Sequence, residues 1–194
     1  MEKDLMKERK MPEHLAQEPD KREYAVQEPD KQESAAQDTD MQELFMREAL
    51  AEADLAAEAG EVPIGAVVVR GNEIVGRGHN RREGDKSALA HAEILAISDA
   101  CTRLGGWRLF DCDLYVTLEP CPMCAGAMID ARIQNVYYGA PDPKAGSVKS
   151  LVNLFALPYN HKPAVFGGIL EEECAARLTS FFKDLRQYKK NGKA

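Results

Sequence analysis

Cys121 and Cys124 stand three positions apart in Leu118-Glu119-Pro120-Cys121-Pro122-Met123-Cys124-Ala125-Gly126-Ala127, after a strand-like run and at the start of a helix-like one. Residues at that spacing share one helix face, so both sulfurs can reach a single metal ion. Pro120 and Pro122 suit such a strand-to-helix junction, where a missing N–H costs little. Thirty positions upstream of Cys121 begins His91-Ala92-Glu93, also at a predicted helix start. Alone, His91 reads as a core histidine and the cysteine pair as a structural zinc or redox site. Together they supply three zinc ligands and leave a fourth position for water, the mark of a catalytic rather than a structural zinc. The pattern therefore constrains the fold: two helix starts far apart in the chain have to meet.

Glu93 tightens that constraint. Two positions on a helix are about 200° apart, so His91 and Glu93 face one site only if the chain is just entering the helix at His91. Zinc brings the pKa of a bound water towards neutrality, and positive helix ends favour anionic thiolate and hydroxide. The bland role for Glu93 is a first-turn carboxylate that stabilises the helix N-terminus.

The H-x-E and P-C-x-x-C pair resembles the signature of zinc nucleobase deaminases. The wider chain resembles the bacterial tRNA-specific adenosine deaminases. The likeness is carried by Glu61-Val62-Pro63-Ile64-Gly65-Ala66, Gly78-His79-Asn80-Arg81, Trp107-Arg108-Leu109 and the run from Leu114 through the second cysteine to Ile129. Tyr138-Gly139-Ala140, Asp142-Pro143-Lys144, Asn160-His161 and Phe181-Phe182 extend it, so that it covers 42–190. The resemblance implies one zinc per subunit on His91, Cys121 and Cys124, with Glu93 shuttling protons while zinc-bound hydroxide attacks C6 of adenine, giving inosine and ammonia. It also implies a homodimer acting on the wobble adenosine of a tRNA anticodon stem-loop.

Further site residues follow from the same resemblance. Asn80 is expected to contact the base edge, its amide offering a donor and an acceptor; a turn residue is the other reading. Asp142 and Lys144 match a loop that meets anticodon nucleotides, and are equally readable as turn residues beside Pro141 and Pro143. Phe182 matches an aromatic that stacks on a nucleotide, the alternative being a core position. Lys183, Arg186, Lys189 and Lys190 suit phosphate contact or plain solvation. Two departures concern the RNA-facing rim: Ser87-Ala88-Leu89-Ala90 stands where the family usually has Asp-Pro-Thr-Ala, and Val148 and Lys149 interrupt a small-residue run. A free-base deaminase of the guanine type, whose motif also resembles Glu119-Pro120-Cys121-Pro122-Met123-Cys124, is the competing enzyme. A non-catalytic zinc-stabilised RNA-binding subunit is the third class, and the intact Glu93 argues against it.

Periodicity predicts the elements around these motifs. A helix is expected from a capping box at Asp40-Met41-Gln42-Glu43 to near Gly60. Strands at 64–69 and 73–78 form a hairpin across Arg70-Gly71-Asn72. Helices at 90–104 and 122–132 flank a strand at 114–118 that is apolar on both faces, and the second of them is expected to be buried nearly all round. Strands follow at 134–139 and 164–167, then a helix with Cys174, Leu178, Phe181, Leu185 and Tyr188 on one stripe. This order implies an α/β fold, a cytidine-deaminase-like three-layer α/β/α sandwich with a mixed sheet opened by a hairpin.

The remaining 1–39 differ in kind. A ten-residue repeat runs through 14–43, and through Glu43 there are 13 acidic and 7 basic side chains, a net −6 out of the chain's −7. Units so short and polar cannot stack into a core, so 1–39 is expected to be a disordered acidic tail and 40–194 the catalytic domain. The charged opening residues contain no apolar run, and no stretch is long enough to span a membrane. A cytoplasmic protein with reduced or metal-bound thiols is the expectation, with Cys101, Cys112 and Cys174 outside the metal site.

Overall fold

A computed structural model describes the backbone of residues 31–192 and the side chains of 38–192. The elements run α1 (Lys31–Glu58), β1 (Gly65–Arg70), β2 (Glu73–His79), α2 (Ala92–Leu104), β3 (Cys112–Leu118), α3 (Pro122–Ala131), β4 (Asn135–Ala140), a 3-10 turn (Leu154–Ala156), β5 (Ala164–Gly167) and α4 (Glu171–Lys190). The strands form one sheet in the order β2-β1-β3-β4-β5. Strand β1 is antiparallel to both β2 and β3, while β3, β4 and β5 run parallel. The β1–β2 turn is Gly71-Asn72, with Gly71 at φ +61°, a conformation that a side chain would strain.

Strand β3 lies at the centre, as its two apolar faces require. Leu114 and Val116 are buried with Ala96, Met128 and Ile129 beneath α2 and α3. Tyr115, from the opposite face, packs with Phe45, Ala49 and Cys174 beneath α1 and α4. The result is the expected three-layer α/β/α sandwich. Helix α2 lies unusually close to β2 because Gly78 presents no side chain: a Cβ there would fall 2.4 Å from the Ala92 carbonyl oxygen. That approach seats the first turn of α2 against the sheet, and His91 and Glu93 with it.

Two expectations about the helices are corrected. Among the described residues helix α1 already runs from Lys31, so Asp40 to Glu43 is helix interior and not a capping box. After Pro29 the sequence holds neither Pro nor Gly until Gly60, and nothing local stops the helix from extending upstream. The part of the expected tail at 1–30 lies outside the described residues. Helix α3 is buried only on one side: Cys124, Ala125, Met128, Ile129 and Ala131 are covered, whereas Pro122 and Asp130 are exposed and Met123 and Ala127 half-buried. One sheet face can cover only one side of a helix, and among the described residues the rest is only partly covered. On α4 the stripe is covered at Cys174 but exposed at Leu185 and Tyr188.

Candidate active site

The loops that leave β2 and β3 each turn directly into a helix, and the candidate metal ligands sit at those turns. His91 is the N-cap of α2, at φ −80° and ψ 150°. Cys121 is the N-cap of α3, at φ −74° and ψ 173°, with Pro122 in the first turn. Neither residue makes a side-chain capping bond. Both side chains are therefore free to point outward while the positive helix ends stand beside them. The extended backbone at His91 also answers the 200° problem: the chain has not yet entered the helix there, so the imidazole and Glu93 approach one point.

The Nδ1 atom of His91 lies 3.7 Å from Cys121 Sγ and 3.6 Å from Cys124 Sγ. All three ligand atoms fall within 4.8 Å of one another. Bonds of about 2.3 Å to sulfur and about 2.0 Å to nitrogen would separate S and N by about 3.6 Å in a tetrahedron, so the group fits zinc in both donor type and spacing. The Cys124 thiol donates a hydrogen bond to Cys121, which, with His91, pulls Cys121 down to about 4 against the effect of burial. The same bond, with burial, pushes Cys124 up. A divalent cation overrides that sharing, because coordination deprotonates a thiol outright. His91 is raised by its bond with Cys121, with burial opposing.

Glu93 is 4% exposed, and burial raises its carboxyl above the ordinary range. A carboxyl that holds a proton more readily than usual, beside the metal-ligating cluster, is suited to general acid–base work. It opens onto a cavity of about 210 Å3 whose lining includes Val62, Ile64, Asn80, Arg82, His91, Leu118, Glu119, Cys121 and Asp142. Apolar walls with a few convergent polar groups suit a single flat base.

The fold thus brings His91, Glu93, Cys121, Cys124, Asn80 and Asp142 together. Asn80 is 4% exposed, and its Nδ2 donates to Glu61 Oε2 and the Val62 carbonyl, each at 3.4 Å. Asp142 accepts from the Lys144 backbone N–H at 2.9 Å, so its turn role holds while it also lines the cavity. The Lys144 side chain is exposed and outside the lining, and Phe182 is 41% exposed on α4, in edge contact with Phe181. Helix α4 packs on the sheet face opposite α2 and α3, which takes Phe182 out of the core and away from the cavity walls. Asn160 and His161 have local partners: Arg132 donates to the Asn160 side chain, and His161 Nε2 sits 2.6 Å from the Ile133 carbonyl oxygen.

Two buried carboxylates escaped the sequence reading. Glu61 accepts from the Gly84 N–H at 2.7 Å and from Asn80, tying down the loop after β2. Glu119 accepts from Asp142 N at 3.1 Å, Lys149 N at 2.9 Å and Ser150 N at 2.8 Å, and also from the Ser150 hydroxyl. Burial alone would raise the Glu119 carboxyl, but these hydrogen bonds, led by Ser150, outweigh it and hold the group below its ordinary range. The only signal in the sequence is an acidic residue set among apolar residues beside a proline. Arg82, on the cavity rim, was also missed.

A family model described as MafB19-like deaminase matches residues 39–186. The chain is 53% identical over 148 residues to a tRNA-specific adenosine deaminase of Bacillus subtilis, covering 76% of this chain and 92% of that one. Among solved structures it is similar to one from work on A-to-I editing by tRNA:A34 deaminases at the wobble position of transfer RNA. That match has a TM-score of 0.67 and 50% identity, covering 69% of this chain and 98% of the other. A guanine deaminase from Bacillus subtilis matches with a TM-score of 0.51 at 32% identity, over 75% of this chain and 93% of that one.

Proposed function

Because the chain belongs to the MafB19-like deaminases and, within their reach, to the tRNA-specific adenosine deaminases, we propose that it converts the wobble adenosine of a tRNA anticodon loop to inosine. The observation that carries this reading is the buried Glu93 beside three ligand atoms at the floor of a base-sized cavity. Identity of 50% to 53% with the RNA enzymes, against 32% with the guanine enzyme, supports RNA as the substrate.

His91, Cys121 and Cys124 would hold one zinc ion. Bound there, zinc supplies a Lewis acid that makes water nucleophilic near neutral pH. Glu93 accepts a proton from the attacking water and delivers protons to the ring nitrogen and the departing amine, so that adenosine and water become inosine and ammonia. Asn80 orients the base, its Nδ2 already held by Glu61 and Val62. Asp142 and Lys144 meet neighbouring nucleotides, and Phe182 with Lys183, Arg186, Lys189 and Lys190 meets more distant parts of the RNA. A looped-out adenosine costs less to extrude than a paired one, which favours an anticodon loop. The working unit is a deaminase domain over 40–194 with the acidic 1–39 appended, in the cytoplasm where tRNA resides. The family match beginning at residue 39 supports that boundary.

The domain works as a homodimer. The half-covered side of α3 carries Met123, Gly126 and Ala127, and among the described residues a Cβ at Gly126 would meet nothing within 4 Å. Near the same helix, Phe110 is 57% exposed beside Leu109, whose N–H bonds the Ala131 carbonyl. Light scattering at micromolar concentration should return twice the chain mass, and a monomer would remove this part of the account.

The enzymatic reading is tested by offering purified protein an anticodon stem-loop, guanine and cytidine in parallel. Inosine from the stem-loop with no turnover of the free compounds is expected. Efficient guanine deamination with inert RNA would install the free-base enzyme instead.

A further inference from the structure

Glu119 sits two positions before the first metal-ligating cysteine, yet its carboxylate is directed at a different segment. It is 2% exposed, and each oxygen is used twice. One accepts from the backbone N–H groups of Lys149 and Ser150, at 2.9 and 2.8 Å. The other accepts from the Asp142 N–H at 3.1 Å and from the Ser150 hydroxyl. All four donors belong to the loop that follows β4, and three are backbone groups spread over nine residues. The Pro120 carbonyl adds a fifth tie, accepting from Ser147 N at 2.9 Å. Gly146 crosses so close to the carboxylate that a Cβ there would lie 2.4 Å from it. The loop has little regular structure of its own, and without Glu119 these part-buried N–H groups would lose their protein partner.

The loop also forms one wall of the cavity, through Asp142 and Ala145. We propose that Glu119 is a positioning residue for the substrate: it straps 142–150 to the start of α3, so that the wall contacting the base and its neighbours is set in register with the metal-ligating end of the site. The inference rests on the reading of the site as an RNA deaminase. Its content is that substrate fit on this side depends on a carboxylate whose two oxygens are both engaged by the loop. The proton shuttle Glu93 lies on α2, outside the hydrogen bonds of the strap. Loosening the strap therefore weakens substrate capture more than it slows the chemistry.

Glu119→Gln is the direct test, because it keeps the volume but sets an NH2 group against backbone N–H donors. Ser150→Ala is the milder companion, removing one of the four bonds. Amide hydrogen exchange is measured across 142–150, and KM and kcat are measured on the anticodon stem-loop. Glu119→Gln is expected to lose protection at 149 and 150 with the rest of the sheet unchanged. It should raise KM roughly tenfold or more while kcat changes less than about threefold, with Ser150→Ala smaller in the same direction. Unchanged exchange in this loop, or a loss confined to kcat, would overturn the proposal. Should Glu119→Gln fail to fold, the sign of the Ser150→Ala effect on KM decides. If the unaltered protein neither binds nor edits RNA, the functional reading falls, and the exchange pattern alone judges the strap.

Discussion

Glu93→Ala is expected to retain near-stoichiometric zinc and an unchanged melting temperature, or a slightly higher one, while turnover falls by a factor of about 10^2–10^4. The asymmetry follows from the geometry. The atoms that would hold the metal are His91 Nδ1 and the two sulfurs, so removing the carboxylate leaves all three in place. Glu93 is held at 4% exposure, where its charged form is disfavoured, and alanine relieves that cost. What disappears is the group proposed to move protons between water and base. Metal analysis alongside inosine quantification separates the cases. A variant within tenfold of the normal rate would take Glu93 out of the mechanism, and a variant without metal would make it a structural support.

Removing one ligand should act the other way round. Cys124→Ala is expected to lower metal content from about one zinc per chain to near zero, to abolish turnover, and to cancel the response of melting temperature to added zinc. The unaltered protein should lose several degrees on chelation and recover them with zinc, because a ligand bound only by the folded state stabilises it by mass action. Cys124 is wholly buried in the first turn of α3, and its loss leaves a small void, so the fold should survive. Retention of tight zinc by Cys124→Ala would mean that the metal sits elsewhere.

Much of this was legible beforehand because the signals were local. Cys121 and Cys124 share a helix face by spacing alone. The extended backbone of His91 followed from requiring it to face the same point as Glu93, and the structure places it as the N-cap of α2. Strand β3 declared its central place by being apolar on both faces. The failures were matters of context. Asp40 and Glu43 imitate a helix start, but the upstream residues are themselves helix formers, and α1 runs on to Lys31. The exposure of Phe182 depends on which layer α4 joins, and an apolar stripe does not say that. Glu119 was quoted within the motif, but its partners lie 23 to 31 positions away and are mostly backbone groups, which carry no residue-type signal.

The most direct measurement uses two anticodon stem-loops that differ only in the position of a single adenosine, at the wobble position or one nucleotide away. After incubation with the zinc-loaded protein, the RNA is digested and its nucleosides are separated by mass. The account expects inosine from the first stem-loop, at least about a hundredfold less from the second, and none from either with Glu93→Ala. Equal conversion of both, or none of either while guanine is consumed, would contradict the central claim that this chain is a wobble-adenosine deaminase.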